Sequence, residues 1–132
     1  MKWIPAVHLF FTSALFSAEG NPRLDFALGV LAGTRGDAAE AGRRHESALA
    51  ADPLALPLVN KVAGMRLADG DRQGAVKLYR DLAAARPDDL DIQITYADFL
   101  GEQGGGDALA LKLADETLES ALKKNPGHAE LI

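Results

Sequence analysis

Three histidines, His8, His45 and His128, are the first side chains to weigh for chemistry in this 132-residue chain. They fall one to a region, without the short spacings that gather metal ligands on one turn or one helix face. The run Gly101-Glu102-Gln103-Gly104-Gly105-Gly106 has the glycine content of a phosphate loop. It follows a helical pattern rather than a strand, and it lacks the Lys-Ser/Thr that would hold phosphate and a magnesium ion. Gly29-x-x-x-Gly33 reads as close packing of helices. No G-x-S-x-G, H-E-x-x-H or calcium-loop pattern occurs. The absence of cysteine removes thiol catalysis, disulfides, thiolate-held metals and a lipid-modified N-terminal Cys together. Arg43-Arg44 is too short a basic run to hold nucleic acid, and a net charge of −5 repels phosphate backbones. The expectation is a protein without catalytic residues, cofactor or metal. One grouping survives: Asp91, Asp98 and Glu102, spaced by 7 and 4, share one face of a helix.

The elements that would carry these residues are helices. Ala and Leu dominate the 48% of apolar residues, while aromatics are only 6%; these are the best helix formers among apolar side chains, and strand-type composition is missing. Ala51-Asp52-Pro53 and Ala85-Arg86-Pro87 stand 34 residues apart. Between them lie a helix of small residues, a Gly70 turn, and a second helix with Ala75, Leu78, Tyr79 and Leu82 at helical spacing. The unit occurs three times, at 22–55, 56–89 and 90–128, the last with five extra residues. Those extra residues are expected after Gly104, in the turn, with Asp107 capping a lengthened second helix. Within each unit a small pair recurs where helix backbones must approach: Gly29/Ala41, Ala63/Ala75 and Ala97/Ala114. Asn21-Pro22, Asp52-Pro53 and Asn125-Pro126 each suit a helix start, and Asp37 to Glu40 has the spacing of a capping box.

This pattern resembles the tetratricopeptide repeat family, whose period is about 34 residues. The resemblance implies an all-α, right-handed superhelical solenoid of antiparallel helix pairs, here with three repeats. Against the family pattern the second unit departs at Arg66, where a large apolar residue is usual, and at Leu82, where a small one is. His45 stands at a position that is normally a large buried side chain, so a packed histidine is expected. The resemblance further implies that first helices line a concave groove for an extended or helical partner segment. Residues carried over to that groove include Phe26 and Val30, then Asn60 and Leu67, then Asp91, Ile94, Asp98 and Glu102. The clamp by which some family members hold acidic chaperone tails is not matched, since Phe26, Val30, Asp91 and Thr95 stand where polar or basic groups are needed. The expected partner is a protein or peptide segment with a basic end, and the plainer reading is a solvated acidic face. Adaptor or scaffold is the implied role. A structural spacer, a self-associating piece of a longer array, and an accessory domain of an enzyme or polysaccharide-export system are the alternatives.

The two ends read differently from the middle. Lys2 precedes an uncharged, mostly apolar run from Ile4 to Phe16, and small residues follow. That is the form of a secretory signal over residues 1–20, too short for the roughly 20 apolar residues of a membrane span. Cleavage would fall after Ala18 or Gly20, placing the protein in the periplasm or outside the cell. The alternatives are a retained helix over the first unit and an uncleaved anchor. Residues 129–132 would begin a fourth unit. Without a cap after the third, Leu111, Leu118 or Leu122 is expected to stay partly open for association.

Overall fold

A computed structural model describes residues 20–104 and 108–128. The signal reading, Asp107 and the start of a fourth unit fall outside those residues. Six α-helices follow one another: α1 (Pro22–Thr34), α2 (Ala38–Ala51), α3 (Leu56–Ala68), α4 (Arg72–Ala85), α5 (Leu90–Gly104) and α6 (Ala108–Lys124). A short 3-10 turn covers Pro126–His128, and no strand occurs among the described residues. The fold is all-α. Helices pair as α1 with α2, α3 with α4 and α5 with α6, while α2 meets α3 and α4 meets α5 to join the three hairpins. First helices start at Pro22, Leu56 and Leu90, an even step of 34 residues.

Local chemistry explains most of the helix ends. The Asn21 side chain accepts hydrogen bonds from the Arg23 and Leu24 N–H groups, with Pro22 at the first helical position. Asp37 accepts from Glu40 N–H at 2.9 Å and Asp71 from Gly74 N–H at 2.8 Å. Ahead of these caps, Gly36 and Gly70 take φ of 79° and 82°, which glycine adopts without a Cβ penalty. Asp37 N–H then reaches Ala32 C=O and Asp71 N–H reaches Arg66 C=O, so both turns are the same Schellman closure. The capping box is half made. Glu40 turns its carboxylate to Arg43 and Arg44 instead of back to Asp37 N–H.

One expectation about helix starts is corrected. Asp52-Pro53 does not start a helix: Asp52 N–H donates to Ala48 C=O and closes α2, and α3 begins only after a turn, with Ala55 at its N-cap. Proline disfavours helical backbone in the residue before it, so Asx-Pro serves a stop as readily as a start. Asn125 closes α6, its side-chain amide donating to Ala121 C=O at 3.0 Å, and directly precedes the 3-10 turn that starts at Pro126. The turn of the third unit falls outside the described residues; on either side of it α5 has 15 residues against 13 in α1 and α3, and α6, lengthened as expected, has 17 against 14 in α2 and α4. Residues added to a helix each gain a backbone hydrogen bond, whereas residues added to a loop only raise its closure entropy.

The six small residues are all buried. In the first hairpin a Cβ on Gly29 would sit 2.6 Å from His45 Cε1, closer than real Cβ contacts come, so the backbone of α1 rests on the imidazole edge. One apolar cluster runs from Ala48 and Leu49 through α3, α4 and α5 to Ala114. Arg66, the departure from the large apolar pattern, is half-buried and donates to Glu46 across the α2–α3 junction at 3.2 Å.

Candidate functional site

The eight groove candidates all stand on first helices: Phe26 and Val30 on α1, Asn60 and Leu67 on α3, and Asp91, Ile94, Asp98 and Glu102 on α5. Val30, Asn60, Asp91, Asp98 and Glu102 are exposed; Phe26, Leu67 and Ile94 are half-buried. Two are partly committed within the molecule. Phe26 stacks on His45 with ring centroids 5.3 Å apart, and the Asn60 amide oxygen accepts from the Tyr79 hydroxyl at 2.8 Å. They do not converge on one cavity. Phe26 lines a cleft of about 260 Å³ with Pro22, Pro57 and Leu58, and Val30 lines another of about 560 Å³ with Gly33, His45 and Met65. The three carboxylates of α5 are open to solvent, and Thr95 between them turns its hydroxyl to the Asp91 carbonyl.

The buried polar groups lie in the first hairpin. Asp25 is 8% exposed and accepts from Ser47 Oγ at 2.8 Å and Arg44 Nη1 at 2.9 Å, tying α1 to α2. The Ser47 hydroxyl first, and the Arg44 guanidinium second, hold its carboxyl below the usual carboxylate range. Arg44 also donates to Glu40, which Arg44 and Arg43 together hold low. The sequence carried a signal for this network. Asp25 occupies the register position of Val59 and Gln93, where an acid within an apolar stripe asks for a partner. In the third hairpin the same position is used differently: Gln93 donates to the carbonyls of Ala83 and Arg86 and closes the end of α4.

His45 is the packed histidine the register expects. It is 1% exposed, and neither ring nitrogen has a hydrogen-bond partner among the described residues. Burial first, and the nearby Lys61 ammonium second, push its pKa below the ordinary imidazole value. A folded pKa below the unfolded one means that the unfolded chain takes up the proton first as pH falls. The stability His45 contributes is therefore complete above about pH 6.5 and is lost progressively below it. Urea midpoints measured from about pH 8 to about pH 5 should hold level and then drop in the parent, and stay level in His45→Leu. A parent midpoint that stays level across that range would show that the imidazole is not buried in its neutral form.

No cluster of three or more His, Asp or Glu suited to a metal occurs among the described residues. No described helix is long and apolar enough to cross a membrane. Compared with known proteins, the chain matches no family model and no curated relative.

Proposed function

We propose that the chain is a tetratricopeptide-type array, a right-handed superhelix of three helix pairs, and that it acts without catalysis as an adaptor or scaffold. It holds a partner segment along the faces of α1, α3 and α5. The observation that carries this reading is recurrence in the structure as well as in sequence: first helices 34 residues apart, with two small residues of each hairpin buried at the same register. A unit that buries its apolar face only against its neighbours leaves the opposite helix faces free for a ligand. On this reading Phe26 and Val30 form an apolar entrance, Asn60 and Leu67 the middle, and Asp91, Ile94, Asp98 and Glu102 an acidic exit for a basic segment end. The Lys2 start and the apolar run after it support export to the periplasm or beyond.

Charge reversal tests the groove. Asp91→Lys with Asp98→Lys, used as bait in envelope extract, should lose the partners that the parent recovers, while both baits melt alike. Equal recovery by the reversed bait rejects the acidic exit.

A second reading, a spacer or self-associating piece of a longer array, is favoured by the outer faces. Leu24 is 56% exposed, whereas Leu58 and Ile92 at the same register are 5% and 4% exposed. At the other end Leu111 is exposed and Leu118 and Leu122 are half-buried. End-to-end contacts of this kind do not close, so they would appear as scattering mass that keeps growing with protein concentration.

A further inference from the structure

A cleft of about 660 Å³ lies away from the proposed groove, between α4, the C-terminal end of α5 and the first half of α6. On α5 it uses Leu100, Gln103 and Gly104, which helical spacing sets opposite the face of Asp91, Asp98 and Glu102. Its floor is apolar, made by Val76, Leu100, Leu109 and Leu113, with Leu109 and Leu113 exposed. Its α4 wall carries Arg72, Lys77 and Arg80. The one carboxylate in the lining, Asp71, already accepts from Gly74 N–H as the cap of α4. Lys77 and Arg80 share Asp81, and Arg72 has no ion pair among the described residues.

The other junction shows what is missing from this one. Between the first and second hairpins, Glu46 on α2 and Arg66 on α3 join in an ion pair at 3.2 Å. Thirty-four residues on, the same two positions hold Arg80 and Leu100. The acid has become a base and the base a leucine, so the junction keeps its apolar contact and presents a cation with no acid across from it. The longer α6 adds Leu109 and Leu113 to the same cleft.

We propose that this cleft docks an acidic amphipathic helix of a partner protein, its leucine-type side chains on the floor and its carboxylates on Arg72 and Arg80. The opening runs between two helices, the arrangement that receives a third by its apolar stripe. Carboxylates from the ligand restore the charge pairing that Glu46 and Arg66 make internally one unit earlier. The site uses α4, α6 and the face of α5 turned away from the acidic residues, and is separate from the groove.

The probe is a fluorescein-labelled peptide of about two heptads, with leucine on one helical stripe and glutamate flanking it; a lysine-flanked peptide is the control. Fluorescence anisotropy with the full chain should show binding of the acidic peptide, weakened about tenfold or more by Arg72→Glu with Arg80→Glu. Arg72→Glu alone keeps the fold in reach, because an acid in the first turn of α4 suits the helix dipole. Leu113→Ser should weaken binding without touching charge, and peptide-induced amide shifts should centre on Val76, Leu100 and Leu113. The proposal is overturned if the acidic peptide does not bind, if it binds the reversed protein equally, or if its shifts map to the acidic face of α5. Arg72-dependent dimerisation with no peptide binding also overturns it, by making a second copy the occupant.

Discussion

Ala75→Leu should melt well below the parent. Ala75 is fully buried, at 0% exposure, on α4, which packs on α3, and its counterpart Ala63 is 1% exposed. There is no space at such a contact for three more carbons, so either the side chain leaves its preferred rotamers or the helices move apart. Overpacking of this kind costs about 1–3 kcal/mol, a large share of the roughly 5–15 kcal/mol that holds a domain of this size. At about 4–8 °C for each kcal/mol, the melting temperature should drop on the order of 10 °C. Ala84→Leu is the control, since Ala84 is exposed on the same helix and should change stability by no more than about 0.5 kcal/mol. If the two variants melt alike, the helix pairs do not cross at the small residues.

The burial of the small positions was readable in advance because close packing is short-range and steric. A helix pair that touches backbone to backbone needs Gly or Ala at fixed offsets, and those offsets recur at Gly29, Ala63 and Ala97 without any knowledge of what else is nearby. Turns at Gly36 and Gly70 were readable for the same reason: a positive φ before an Asp cap is a local demand. The helix end at Asp52 was not, because Asx-Pro is compatible with the end of one helix and the start of the next, and tertiary packing chooses.

Site residues divide along the same line. Which helix and which face Asp91, Asp98 and Glu102 share follows from spacing alone, and they are exposed there. Whether Phe26, Asn60 and Ile94 enclose a common space depends on how hairpins tilt against one another, which no local pattern encodes; in the structure Phe26 and Val30 line separate clefts. The basic cleft beside α6 escaped a reading by residue type because its cations are spread along α4 and its leucines come from two other helices. Comparing register-equivalent pairs, Glu46–Arg66 with Arg80–Leu100, is the step that exposes it.

Leu82→Ala should be the most damaging truncation in the chain. Leu82 is 1% exposed and ranks among the largest fully buried side chains, within the cluster that runs through α3, α4 and α5. Its register neighbours in the other hairpins are Ala48 and Ala121, at 0% and 2% exposure, so the middle hairpin carries a leucine where its neighbours carry alanine. Truncating a buried leucine costs about 2–5 kcal/mol, the lost transfer energy plus the cavity left behind. The loss is greatest here because the middle hairpin is joined on both sides, through α2–α3 and α4–α5. When stability is a sum of units and the interfaces between them, a weak centre uncouples both ends. Urea unfolding should therefore show a lower midpoint in Leu82→Ala, with a broadened transition as the outer hairpins part company. Leu82→Met keeps most of the volume and should cost less than about 1.5 kcal/mol. A truncation cost below about 1 kcal/mol would mean that the core is centred elsewhere and that the hairpins do not stack through α4.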